Sequence, residues 1–143
     1  MVEKKPPKSS KKLPPATTAP EPATADAPKE LIIVGIGASA GGLEAFENFF
    51  TALPAGSGSN MAFVLVQHLD PTHKSILTDL VKRYTKMNVF EVQDGMAVEP
   101  ECAYIIPPNR DMAALHGKLH LMEPESPRGL RLPIDYFFRS LAQ

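Results

Sequence analysis

The chain has 143 residues, 22% charged, 43% hydrophobic and 7% aromatic, with one Cys, no Trp and a formal net charge of −1 at pH 7, which suits one modest domain. No basic excess is available to grip phosphate backbones, so nucleic acid is not an expected partner. A lone Cys102 can form neither an internal disulfide nor a CxxC zinc site, which points to a reducing compartment.

Residues 1–30 hold seven of the 15 prolines, six Lys, five Ala and no aromatic or Ile. Such a segment cannot bury a core, and it reads as a disordered Pro/Lys/Ala-rich tail. Lys pairs at 4–5 and 11–12 look like the start of a secretory signal, but Pro14, Pro15, Pro20 and Pro22 break any apolar run behind them. Six of the 15 Lys+Arg and four of the 16 acids lie in this tail, leaving a mildly acidic remainder. The longest apolar stretches, Leu31–Ala38 and Met61–Val66, fall far short of the roughly 20 residues of a membrane span. A soluble, cytoplasmic protein without membrane insertion is expected.

From Leu31 onward the run Leu31-Ile32-Ile33-Val34-Gly35-Ile36-Gly37 predicts a strand buried on both faces, and hence a parallel sheet. Leu43, Phe46, Phe50 and Leu53 then recur at helical spacing until Pro54-Ala55-Gly56 ends the stripe. Met61–Gln67 predicts a second apolar strand. Asp70-Pro71 suits an N-cap followed by proline at the first helical position, and Ile76, Leu77, Leu80, Val81 and Tyr84 supply the buried face of a second helix. The connection over 38–60 carries a helix and is long enough for the crossover that joins parallel strands, so the first two strands can be neighbours. Val89–Gln93, Ala103–Ile106 and Leu119–Met122 predict three shorter strands whose order is not readable. The stretch 133–142 starts like a helix whose apolar residues lack a later partner strand. The expected fold is α/β and doubly wound, a mostly parallel sheet with helices on both faces over 31–143, incomplete at its C-terminal side.

Gly37-Ala38-Ser39-Ala40-Gly41 fits G-x-S-x-G between a strand and a helix, the context of a nucleophile elbow. There Ser39 is a candidate nucleophile and the backbone N–H of Ala40 a candidate oxyanion donor. The alternative is that Ser39 simply caps the helix. Gly35-x-Gly37-x-x-Ala40 also matches a dinucleotide fingerprint, but that reading requires an acidic residue about 20 positions on, where Ala55 to Asn60 offer none. His68 follows the second strand as Ser39 follows the first. Alone it reads as a surface or capping residue; beside an elbow it reads as a general base.

A triad needs a carboxylate to orient the imidazole. Asp70 is better explained as a cap, Asp94 as part of an Asp-Gly turn, Asp111 as a residue after a loop and Asp135 as a helix-entry residue. The pairs His68/His73 and His116/His120 bring no clustered third ligand, so neither a metal nor a cofactor is expected. Phe and Met residues read as core, and Arg128 and Arg131 as solvated loop residues, the alternative being contact with an anionic partner.

Ile36-Gly37-Ala38-Ser39-Ala40-Gly41-Gly42, Val66-Gln67-His68-Leu69, Asp94-Gly95-Met96, Tyr104-Ile105-Ile106-Pro107-Pro108 and the run from Pro133 to Ala142 occur in an order that resembles the catalytic domain of the CheB chemotaxis methylesterases. The resemblance covers residue 31 to the end. It implies hydrolysis of glutamate methyl esters on the cytoplasmic helices of methyl-accepting chemoreceptors, and deamidation of receptor glutamine in some members. It makes Ser39 the nucleophile and His68 the base. The triad aspartate of the family lies in a glycine-rich segment after the helix that Ile134–Ala142 resembles, and Asp135 matches a different family position. Loss of such an aspartate costs on the order of 10⁴ in rate, so this chain is expected to be weak or inactive. The family commonly has threonine where this chain has Ala40, and its stand-alone members begin with a receiver domain rather than a Pro/Lys-rich tail. Such a start is similar to proteins fused to a CheR-type methyltransferase, a further implied partner. The readings from other classes are a non-catalytic binding or regulatory module of the same fold and a dinucleotide-binding fragment.

Overall fold

The computed structural model describes residues 30–39, 41–54, 59–67, 76–125, 127 and 131–143. Residues 1–29 of the expected tail, the Asp70-Pro71 cap and the residues Ala40, His68, His73 and Arg128 lie outside them.

Four strands form the main sheet: β1 (Ile32–Ala38), β2 (Met61–Gln67), β3 (Asn88–Glu91) and β5 (Cys102–Ile105), in the order β1-β2-β5-β3. Every pairing in it is parallel. The first two strands are neighbours, as the length of their connection allows, with a register from Ile32↔Met61 to Ala38↔Gln67. β2 is buried from Ala62 to Gln67 because both of its faces are covered, the condition under which a strand loses its polar alternation. Ala62, Val64 and Val66 join one core with Cys102, Tyr104 and Ile106, while Phe63 and Leu65 join the other with Ala103 and Ile105.

Helices α1 (Leu43–Ala52) and α2 (Ile76–Tyr84) contribute to that second core. Phe46 and Phe50 are buried, with Leu43 and Leu53 packed beside them, as the helical spacing predicts. In α2 the buried residues are Leu77, Thr78 and Val81. Ile76, expected on this face, is 61% exposed: successive helical residues turn by about 100°, which carries Ile76 outside the stripe formed by Leu77, Val81 and Tyr84.

The opposite face is covered by α3 (Pro133–Leu141) and by an antiparallel sheet ordered β4-β7-β6. Its strands are β4 (Met96–Ala97), β6 (Asp111–Leu115) and β7 (Lys118–Met122). The sequence predicts only the last of these. His116 (φ 50) and Gly117 (φ 73) join β6 to β7, a two-residue turn with positive φ at both positions that matches the strand twist.

No strand follows α3 among the described residues, and the helix packs instead on earlier strands. Phe137 is 0% exposed and belongs to the core shared with β2 and β6. Added Cβ atoms on Gly35 and Gly37 would press on Phe137, Phe138, Leu141 and Ile134, so the two bare glycines of β1 let the helix lie directly on the strand. The N–H of Ala114 donates to Ser140 Oγ (2.9 Å), which donates in turn to the carbonyl of Phe137 (2.7 Å). The helix thereby satisfies a donor on the edge strand β6 that would otherwise be unpaired.

No helix among the described residues is long and apolar enough to cross a membrane.

Candidate active site

The four parallel strands end on one edge of the main sheet, where a doubly wound fold carries its site. Ala38 and Gln67 are register partners at the ends of β1 and β2. Ser39 follows directly and is exposed; His68, next after Gln67 in the chain, lies outside the described residues. The turn into α1 needs small residues. A Cβ on Gly42 would stand 2.4 Å from the Cβ of Ala38 and 3.1 Å from the Ser39 carbonyl oxygen, a crowding that excludes a side chain at this position.

That carbonyl accepts two hydrogen bonds, one from the Gly42 N–H (2.9 Å) and one from Gln67 Nε2 (3.2 Å). Ser39 is not the helix cap, since Gly42 occupies that place and no side chain caps α1. The capping alternative is therefore replaced by an exposed serine ahead of the helix. The G-x-G pattern of Gly35 and Gly37 likewise has another use: the missing side chains leave room for Ile134, Phe137, Phe138 and Leu141 of α3.

The carboxylates named from the sequence fall in separate places. Asp94 lies in the turn between β3 and β4, against β7 of the antiparallel sheet. Its Oδ1 accepts the N–H of Leu121 (2.9 Å) and lies 3.8 Å from His120 Nδ1. Asp111 and Asp135 line a groove of about 340 Å³ with Arg131 and Arg139, between α3 and the β6–β7 hairpin. Among the described residues no carboxylate hydrogen-bonds to Ser39, and no three His, Cys, Asp or Glu converge as metal ligands. His116 begins the hairpin turn, and Arg131 Nη1 donates to Asn109 Oδ1 (2.6 Å).

One polar residue at this edge has no place among the expected site residues. Gln67 is 5% exposed, and its Oε1 is buried without a hydrogen-bond partner among the described residues. The available signal was a carboxamide ending an otherwise apolar strand.

The CheB methylesterase family profile matches residues 34–143. The chain belongs to that family. The structure resembles the crystal structure of the Thermotoga maritima CheB methylesterase catalytic domain with a TM-score of 0.65 and 25% sequence identity, covering 79% of this chain and 61% of that one. Among curated relatives, a protein-glutamate methylesterase/protein-glutamine glutaminase of Desulfotalea psychrophila is 31% identical over 120 residues, 78% of this chain and 31% of the relative. One from Pseudomonas aeruginosa is 30% identical over 134 residues, 90% of this chain and 38% of the relative. That of Escherichia coli is 29% identical over 115 residues, 78% of this chain and 32% of the relative. The chain thus spans about a third of the length of these relatives. The matched range includes Ser39 and His68.

Proposed function

We propose that the chain carries the nucleophile and base of a serine esterase acting on glutamate methyl esters of chemoreceptor helices. The observation that carries this reading is the exposed Ser39 at the carboxyl end of β1, one residue past the Ala38↔Gln67 pair, in a chain of the CheB family. In this scheme His68 takes the Ser39 hydroxyl proton as Oγ attacks the ester carbonyl. The oxyanion of the tetrahedral intermediate is assigned to the N–H of Ala40. Collapse expels methanol, which leaves with the proton from His68. Water, deprotonated by the same imidazole, then attacks the acyl-serine, releasing a glutamate carboxylate and a proton and restoring Ser39. With a glutamine amide the same steps would expel ammonia.

The ester must be made by a methyltransferase, so a CheR-type enzyme is the expected functional partner, and the cytoplasmic face of the receptor is where the two would meet. A carboxylate that bonds the imidazole supplies on the order of 10⁴ in rate to such a triad, and turnover by Ser39 and His68 without one would be slow. Methanol release from a receptor fragment bearing isotope-labelled methyl esters tests the reading. Slow release that saturates with receptor supports it, while no release after prolonged incubation contradicts it.

A further inference from the structure

Gln67 is buried at the cost of a lone acceptor, and what it gains is a contact with the backbone of Ser39. The amide orientation follows from that partner. The Ser39 carbonyl is an acceptor, so the carboxamide must present Nε2 to it (3.2 Å), which leaves Oε1 buried and unpartnered among the described residues. Such an orphaned acceptor weakens a fold, and an apolar side chain of similar shape, such as methionine, would fill the position without it. Packing therefore does not account for glutamine here.

The contact acts on one peptide group. Gly42 N–H and Gln67 Nε2 together hold the Ser39 carbonyl oxygen. A trans peptide is planar, with its N–H directed opposite its C=O. Whatever fixes the Ser39 carbonyl therefore fixes the direction of the N–H across the same peptide bond, the group assigned to the oxyanion. We propose that Gln67 is a positioning residue, which sets the orientation of the Ser39–Ala40 peptide from the end of the neighbouring strand and so aims the oxyanion donor. This rests on the reading of Ser39 as nucleophile.

The test follows phosphonylation of Ser39 by a fluorophosphonate, located by peptide mass spectrometry, in the wild-type chain, Gln67→Met, Gln67→Glu and Ser39→Ala, with a thermal melt of each. A misdirected oxyanion donor should slow labelling of Gln67→Met roughly tenfold or more, while its Tm equals or exceeds that of wild type. Gln67→Glu can donate to the carbonyl only when its carboxyl is protonated, so its labelling rate divided by the wild-type rate should rise as pH falls. Equal labelling of Gln67→Met and wild type overturns the inference. So does a fall in labelling that accompanies a lower Tm, if the Gln67→Glu ratio is also flat with pH; if that ratio rises in acid, the inference stands whatever the Met variant's Tm. A wild-type chain that is never labelled at Ser39 overturns the nucleophile reading itself and takes this inference with it.

Discussion

A Cβ on Gly37 would stand 2.6 Å from Cγ2 of Ile134. The contact fixes α3 against β1 just short of the turn that carries Ser39. Gly37→Ala must push the helix off the strand, an overpacking that costs about 1–3 kcal/mol and is measurable by urea unfolding. Gly41→Ala meets nothing within 4 Å and should stay within about 0.5 kcal/mol of wild type. Equal costs for the two variants would contradict this account of the glycines.

Ser140 supplies the partner for a buried strand edge. Ser140→Ala leaves the N–H of Ala114 without its acceptor and should cost about 1–3 kcal/mol. Ser140→Thr keeps the hydroxyl and should recover most of that loss. Urea unfolding measures both, and hydrogen exchange at Ala114 should accelerate in the alanine variant alone.

Tyr104 links β5 to the segment that follows β4. Its hydroxyl accepts the N–H of Glu99 (2.8 Å) and donates to the carbonyl of Ala97 (3.2 Å), and burial pushes its pKa up to about 12. The folded state therefore holds this proton more tightly than the unfolded chain, where the value is 10.0. The associated stability is complete below pH 10 and is lost as pH rises through about 12. Tyr104→Phe should flatten that part of the alkaline unfolding curve while lowering stability at neutral pH by the lost hydrogen bonds. Tyr84 shifts in the same direction, chiefly through its hydrogen bond to Glu47, so a residual alkaline slope should persist in the variant.

If Ser39 and His68 act as one unit, Ser39→Ala, His68→Ala and the double variant should fall to nearly the same low rate of ester hydrolysis, because groups that cooperate in one step are strongly non-additive. Multiplicative losses would show two independent contributions.

The main sheet was legible where burial writes itself into composition. Met61–Gln67 is apolar because both of its faces are covered, whereas Ile32–Ala38, expected to be buried on both faces, is an edge strand that is only partly buried; the stripe from Leu43 to Leu53 lacks a competing period. The order of β3 and β5 was not legible, since β5 enters between β2 and β3 through a pairing that no local signal encodes. β6 was missed because Asp111-Met112-Ala113-Ala114-Leu115 contains no β-branched or aromatic residue; the strand is held by the His116-Gly117 turn and by Ser140 rather than by propensity. The seat of α3 on β1 was not legible because Gly35 and Gly37 contribute an absence of side chain. At the site, Ser39 was found from its motif. Gln67 passed unnoticed because its role depends on a cross-strand neighbour 28 positions away.

The most direct test of the central claim compares methanol release from a methyl-esterified receptor fragment by the wild-type chain and by Ser39→Ala, at equal concentration and with both shown to be folded. The account predicts slow release by wild type and background release by Ser39→Ala. Release by Ser39→Ala at the wild-type rate would contradict it.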